Sequence, residues 1–195
     1  HFSIPIAILI KDSADLSENY NKLGTIYKQI NIVDSSLYYH FKALEIRLKS
    51  GSKKSLANTY NNIGLIYKKI KNYDKAIEYS EKSIKIKEQV NDKKGIAGSK
   101  INLGIVYNLK KEYNKALIYI ESGVKMAYES KNGVYYCNGL LELQNSLFNL
   151  KKYKERVAAA KGIQPANNLP MSEAEFKKKM EFQIENFKLY KDYLH

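Results

Sequence analysis

A phrase of eight residues recurs along the chain at intervals of forty residues. Its copies are YNKLGTIY at 20–27, YNNIGLIY at 60–67 and KINLGIVY at 100–107. Each copy carries one glycine, at Gly24, Gly64 and Gly104. A fixed period of this size is typical of repeated supersecondary units that stack on one another. Such a stack offers long surfaces to partners more readily than it encloses a catalytic pocket.

A second helical pattern follows each copy of the phrase. After Gly64, apolar or small residues recur at positions 76, 77, 84 and 86, mostly on one helix face. Each unit therefore predicts two helices, A and B, and the short turns between them make neighbouring helices antiparallel. The predicted A helices span about 15–30, 54–70, 94–110 and 133–150. The predicted B helices span about 33–49, 73–89, 113–129 and 153–162.

The register of the repeat extends towards both ends of the chain. The column Tyr27, Tyr67, Tyr107 continues as Leu147 and Phe187. The apolar pattern of 6–12 matches the end of a B helix, so residues 1–12 are predicted to be the tail of a preceding repeat helix. Residues 13–170 are predicted to form the array, with units at about 13–52, 53–92, 93–132 and 133–170. Residues 171–195 are predicted to be helix A of a fifth unit or a capping helix.

The chain has a formal net charge of +13. A charge of this size can indicate a nucleic acid, an acidic protein or an anionic membrane surface as partner. It can also reflect a lysine-rich proteome. Lysine greatly outnumbers arginine. Proteins that bind phosphates or the grooves of nucleic acids favour arginine, because its guanidinium group can donate two parallel hydrogen bonds. The composition therefore favours a solvated surface over a nucleic-acid site.

Catalytic and cofactor signals are missing from the sequence. The three histidines are scattered, and two of them are terminal. There is no phosphate-binding glycine loop and no HExxH motif, so we expect no enzyme, metal site or cofactor. The single cysteine, Cys137, excludes an internal disulfide and is interpreted as a packed residue rather than a nucleophile.

Residues 4–10 form an apolar stretch that is too short to span a bilayer and lacks the features of a signal peptide. We therefore expect a soluble protein. The compartment is left open, with the cytoplasm favoured over the periplasm.

The repeated phrases resemble the tetratricopeptide repeat. In the second and third units Ile or Leu precedes the glycine, a tyrosine follows three residues later, and Tyr-Asp/Asn-Lys-Ala opens helix B. The match is strongest at Gly64, Tyr67, Tyr73 and Ala76, and at Gly104, Tyr107, Tyr113 and Ala116. It is weaker in the first unit and weakest in the fourth, where Gln144 replaces the glycine and Arg156 replaces the alanine. The resemblance implies an all-α fold, a right-handed superhelical α-solenoid of antiparallel helix pairs.

The period of forty residues is longer than the usual 34 of this family. These long repeats resemble those of kinesin light chains, bacterial peptide-pheromone receptors and N-terminal sensor arrays of bacterial signalling proteins. The sequence YDKAIEY at 73–79 is most similar to the repeats of the bacterial signalling group. The resemblance therefore implies the sensing or interaction part of a bacterial signalling or regulatory protein.

One set of repeat residues is predicted to be structural. The glycines have no Cβ and let helix B approach helix A, while the tyrosines and alanines fill the space between helices. These residues are Gly24, Gly64, Gly104, Tyr27, Tyr67, Tyr107, Ala76 and Ala116.

A second set is predicted to bind a partner. The resemblance implies that the A helices line a concave groove, with positions two before, one after and four after each glycine pointing into it. Asparagine recurs there, and its amide can both donate to and accept from a peptide backbone. The alternative is that asparagine is simply common in a chain encoded by an AT-rich genome. The predicted groove residues are Asn62, Asn102, Lys22, Lys28, Lys68, Asn108 and Asn145, beside Thr25, Leu65, Ile105, Glu142 and Phe148.

A third set of residues lies near the predicted A–B turns. A regular stack places these turns along one edge, which would then be basic and could receive an acidic partner or phosphates. The alternative is a solvated edge that keeps the array in solution. The residues of this basic edge are Lys69, Lys71, Lys110, Lys111, Lys151 and Lys152.

The leading functional prediction is a non-enzymatic scaffold that binds a peptide or protein segment, acidic or not, in the groove. The alternative is nucleic-acid or anionic-surface binding through the basic edge, with nucleic acid the less favoured partner. A third alternative is self-association through the C-terminal helix.

Overall fold

The computed structural model describes the backbone of residues 6–50 and 52–160 and the side chains of residues 14–49 and 52–152. Within these ranges the chain forms seven α-helices and no strand, which confirms the predicted all-α class. The predicted helix at 171–195 lies outside the described residues. The helices are α1 Ile6–Gln29, α2 Val33–Ser50, α3 Lys53–Lys69, α4 Tyr73–Gln89, α5 Lys93–Leu109, α6 Tyr113–Glu129 and α7 Gly133–Ala160.

The helices pack as a solenoid of consecutive pairs. Helices α1 and α2 form the first pair, α3 and α4 the second, and α5 and α6 the third. Each B helix also packs on the A helix of the next unit, and the A helices α1, α3, α5 and α7 touch in that order. Buried residues such as Ile63, Leu103 and Ile120 fill the space between the layers.

Three-residue turns end the helices in a regular way. After α3, the Asn72 N–H donates to Tyr67 O over 2.9 Å, and the Lys71 N–H donates to Lys68 O over 3.1 Å. This Schellman arrangement satisfies carbonyls that the helix end leaves free. It requires a residue with positive φ, and the five non-glycine residues of this kind in the described part of the chain have φ between 51° and 66°. They are Asn31, Lys71, Asn91, Lys111 and Lys131.

The glycine column lies where the two helices of a unit approach most closely. A Cβ on Gly104 would lie 2.9 Å from the backbone oxygen of Ala116, and one on Gly64 would lie 3.3 Å from that of Ala76. A side chain is therefore poorly accommodated at these positions. In the first unit the neighbour of Gly24 is the ring of His40, 2.7 Å from where a Cβ would stand.

Each of the first three units also contains a stacked tyrosine pair. Tyr67 of α3 and Tyr79 of α4 have ring centroids 5.5 Å apart and planes 14° apart. The pair Tyr107 and Tyr119 repeats this geometry at 5.3 Å and 12°. Tyr27 and Tyr39 repeat it at 5.3 Å and 9°. The stacking joins helix A to helix B within each unit.

The first helix corrects the prediction made for the N-terminal residues. A break was expected between residue 12 and helix A, but α1 is continuous from Ile6 to Gln29. No glycine or proline interrupts the chain between Ile6 and Leu23, and Pro5 stands immediately before the first helical residue. Proline is tolerated at a helix start because the first amide groups have no intrahelical acceptor. Residues 6–12 therefore extend helix A of the first unit.

The last described helix corrects the prediction made for the fourth unit. Helices were expected at about 133–150 and 153–162, but α7 is one helix from Gly133 to Ala160. The close contact of glycine with a small residue, which folds the other hairpins, is not available here. Gln144 stands in the glycine position, and Arg156 stands where the other units have Ser36, Ala76 and Ala116. Without that contact the helical residues at 150–153 continue α7.

Candidate functional site

The predicted groove positions lie on four helices that touch in sequence. Because α1, α3, α5 and α7 are neighbours, their corresponding residues form a continuous surface. Thr25, Leu65 and Ile105 occupy the middle position of this surface, and each is half-buried. The surface is therefore accessible but is backed by the packed layers of the solenoid.

A cleft of about 190 Å³ opens on this surface between α5 and α7. Three predicted groove residues line it, namely Asn102, Ile105 and Glu142. The Tyr135 ring packs directly against Gly98, where a Cβ would lie only 2.5 Å from Tyr135 Cζ. The missing side chain lets the ring rest on α5 and form one wall of the cleft.

Two of the groove asparagines make contacts between units. The Asn62 amide nitrogen donates to Asn21 Oδ1 over 3.3 Å, which joins α3 to α1. The Asn108 amide nitrogen donates to Ser146 Oγ over 2.5 Å, which joins α5 to α7. The Asn108 Oδ1 atom is buried and has no hydrogen-bond partner among the described residues. Both side chains are half-buried, but the buried Asn108 oxygen limits this residue to contacts between A helices, whereas Asn62 keeps acceptor capacity.

Two groove lysines lie close together on α1 and α3. Lys28 and Lys68 are both half-buried. Burial lowers the pKa of Lys28, and the charge of Lys69 lowers it further. Burial also lowers the pKa of Lys68; the charge of Glu142 opposes this effect, and the charge of Lys28 adds to it to a smaller extent. Among the described residues, no carboxylate lies within ion-pair distance of either ammonium group.

The remaining groove residues are more open. Lys22 on α1 and Asn145 on α7 are exposed. Phe148, one turn after Asn145, is 61% exposed on the same helix. The groove positions of α1 and α7 thus include exposed side chains, whereas those of α3 and α5 are all half-buried.

The basic edge is only partly as predicted. Lys71 and Lys111 are the exposed left-handed residues of two turns. Lys110, however, is paired with Asp74 at 2.8 Å and with Glu112 at 3.2 Å. These carboxylates offset part of the charge on this edge.

Three other basic-edge lysines also differ from the prediction of unpaired lysines at the helix turns. The Lys69 ammonium donates to the Lys28 carbonyl over 3.3 Å. Lys151 and Lys152 were expected at a turn, but both lie inside α7 because that helix does not break. The six lysines therefore do not form a uniform row at the helix turns.

A family model for the tetratricopeptide repeat matches residues 55–129. This range contains the glycines Gly64 and Gly104 and most of the two regular helix pairs α3–α4 and α5–α6. Residues 55–129 are therefore a tetratricopeptide repeat region. A comparison with curated proteins finds no sequence match.

Solved structures with tetratricopeptide-like solenoids share the fold. The apo form of RapI matches with a TM-score of 0.67 and 23% identity, over 76% of this chain and 41% of that one. Aspartyl phosphate phosphatase F from Bacillus subtilis matches with a TM-score of 0.68 and 18% identity, over 75% and 40%. BtubC (BKLC) from P. vanneervenii matches with a TM-score of 0.61 and 18% identity, over 77% and 66%. The chain thus spans less than half the length of the first two structures.

The tetratricopeptide fold is generally a non-catalytic scaffold for protein interactions. Across the described part of the chain, no group of three or more His, Cys, Asp or Glu side chains is placed to hold a metal ion. No helix in the same part is long and apolar enough to cross a membrane. Burial raises the pKa of the half-buried Cys137 thiol, which disfavours the nucleophilic thiolate.

Several residues of this tetratricopeptide surface were missed by sequence reasoning. The cleft is also lined by Gly98, Ile101, Tyr135, Asn138 and Leu141. One signal was present, because the position six residues before the repeat glycine is Asn58 in the second unit and glycine in the third. A second glycine within one predicted helix indicates a close approach by another group.

Proposed function

We propose that this chain is a non-enzymatic scaffold that holds an extended peptide or protein segment against the surface formed by its A helices. One observation carries the proposal. Asn102, Ile105 and Glu142 occupy positions that the resemblance to the tetratricopeptide repeat assigns to the groove, and they line one open cleft between α5 and α7. An amide, an apolar side chain and a carboxylate in one cleft suit a polypeptide, which presents both backbone polar groups and side chains.

The proposed role of the asparagines is to bind the peptide backbone. Asn62 and Asn102 are half-buried at the same position of successive units. An amide that both donates and accepts can pair with successive peptide groups without selecting their side chains. The repeated spacing would therefore supply sequence-tolerant affinity.

The biological context that we propose is bacterial signalling. It is supported by the resemblance of the sequence at 73–79 to bacterial sensor arrays. The fold shared with RapI and with aspartyl phosphate phosphatase F from Bacillus subtilis agrees with it. In this context the chain would recognise a segment that another part of a signalling system presents.

The test uses an array of random 12-residue synthetic peptides as the probe. The wild-type chain should bind a subset of them, and the double substitution Asn62→Ala/Asn102→Ala should weaken that binding roughly tenfold or more, because each lost hydrogen bond contributes about 1 kcal/mol. Asn114→Ala is the control, because Asn114 is exposed on the B helix α6. Thermal unfolding of each variant separates lost binding from lost folding. A chain that binds no peptide, or a double variant that binds as well as wild type, would show the proposal to be wrong.

A further inference from the structure

The Gly98–Tyr135 contact that walls the cleft between α5 and α7 is not repeated by the residues of the first two units. The wall depends on Gly98, which lets Tyr135 lie on α5. The first and second units have Glu18 and Asn58 at the position of Gly98, so a ring could not settle there in the same way. The cleft is therefore a local feature of this chain that the repeat does not impose.

The lining of the cleft is largely apolar. Ile101, Ile105 and Leu141 contribute aliphatic surface, and Tyr135 contributes an aromatic ring. Leu141 is 57% exposed, which is a large exposure for a leucine within a packed helix layer. Exposed apolar walls of a concavity are stabilised when an apolar side chain replaces the water within it.

The charges of the same surface are unequally distributed. Lys28 and Lys68 lie together at the α1–α3 end, and no described carboxylate pairs with either of them. Glu142 lines the cleft, and its carboxylate is also close enough to act on the charge of Lys68. A bound carboxylate is therefore attracted by the two lysines and repelled by Glu142 at the cleft.

We propose that the groove selects peptides that carry an aliphatic or aromatic side chain for the α5–α7 cleft and a carboxylate for Lys28 and Lys68. This inference rests on the proposed function and adds to it the chemical class of the ligand and its placement. The apolar side chain contributes affinity, while attraction by the two lysines and repulsion by Glu142 favour a peptide that carries its carboxylate away from the cleft.

Nucleic acid fits this surface less well. Phosphates could meet Lys28 and Lys68, but a strand that continued along the groove would pass the carboxylate of Glu142 and the aliphatic walls of the cleft. An acidic peptide with one apolar residue complements both the two lysines and the cleft, whereas a uniformly charged strand complements only the lysines.

The experiment uses random 12-residue peptides with amidated C-termini, so that every carboxylate comes from a side chain. Peptides that bind the wild-type chain should be enriched in Asp or Glu together with an aliphatic or aromatic residue. Leu141→Asn should weaken their binding about tenfold and abolish the apolar preference while leaving the acidic one. Lys28→Met/Lys68→Met should abolish the acidic preference and reduce the salt dependence of binding.

Matched controls separate these effects from general ones. Leu109→Asn changes a leucine that is 47% exposed outside the cleft, and Lys85→Met/Lys125→Met removes the same charge from the B helices α4 and α6. Both controls should bind like wild type. The inference would be overturned if the bound peptides showed neither preference, or if the controls bound as weakly as the test variants. Salt-sensitive binding of duplex DNA in place of peptides would also overturn it. A peptide-binding groove of another specificity would remain after the first two outcomes. If no peptide binds at all, both the proposed function and this inference are wrong.

Discussion

The Nη1 atom of Arg47 in α2 lies 2.6 Å from Oγ1 of Thr59 in α3. The guanidinium group is 2% exposed, and it also reaches Glu18 of α1 at 2.7 Å and the Ser55 carbonyl at 3.0 Å. Three helices from two units therefore meet at one buried cation. The next unit repeats the contact with Lys87, whose ammonium donates to Ser99 Oγ over 2.8 Å.

Arg47→Ala should lower the free energy of unfolding by about 2–4 kcal/mol, because it removes several bonds and leaves buried hydroxyl and carbonyl groups without a donor. Urea unfolding measures the change. The control is Lys49→Ala on the same helix, where an exposed pair with Glu45 should contribute less than about 0.5 kcal/mol. Equal effects of the two substitutions would show that Arg47 is not a link between units.

Gly104→Ala should destabilise the fold by about 1–3 kcal/mol, because the new Cβ would lie 2.4 Å from Ile120 Cγ1 and 2.9 Å from a backbone oxygen. Gly64→Ala is the matched comparison, since its closest neighbour is Ser80 Oγ at 3.1 Å. There the higher helix propensity of alanine offsets much of the crowding, and the change should be within about 1 kcal/mol of zero. Thermal unfolding of both variants tests the order, and a larger loss at Gly64 would contradict it.

Acidification should destabilise the first unit through His40. The ring is fully buried, neither nitrogen has a hydrogen-bond partner among the described residues, and its pKa falls to about 4 from 6.5, first by burial and then by the charges of Lys28 and Arg47. As the pH falls, the unfolded chain takes up this proton before the folded one. The contribution to stability is therefore complete above pH 6.5 and is lost between pH 6.5 and 4, by roughly 3 kcal/mol.

The measurement is the free energy of unfolding of wild type and His40→Ser across this pH range, serine being the residue of the second unit at Ser80. The variant should lose less stability on acidification than wild type. Parallel curves would show that His40 stays accessible to protons in the folded chain.

Lys71→Gly and Lys111→Gly should each stabilise the fold by about 0.5–1 kcal/mol. These lysines have φ of 63° and 66°, a region in which a side chain is strained and glycine is not. Lys85→Gly, at an exposed position inside α4, should instead cost about 1 kcal/mol. Chemical denaturation distinguishes the two signs, and a loss at the turns would mean that the lysine side chains contribute more than their backbone strain costs.

Features that repeat every forty residues were predictable from the sequence. The predicted bounds of the five helices α2 to α6 agree with the structure to within one residue, because the apolar register and turn residues act locally. The stacked pair Tyr67 and Tyr79, which the structure shows, recurs in the same register as Tyr107 and Tyr119. The fourth unit was mispredicted because the register persists through Tyr153 even though Gln144 and Arg156 remove the contact that closes a hairpin.

The sequence by itself determined the class of fold, the helix pairs and the helix that carries each groove residue. Only the tertiary structure decided which residues of the groove and of the basic edge are available, since Asn108 is bound to Ser146 and Lys110 is paired with Asp74. It also decided where the cleft lies and which cation, Arg47, is buried. The physical reason is distance along the chain: helix formation and turn geometry depend on neighbours a few residues away, whereas these contacts join side chains from different units, whose approach depends on how the layers stack.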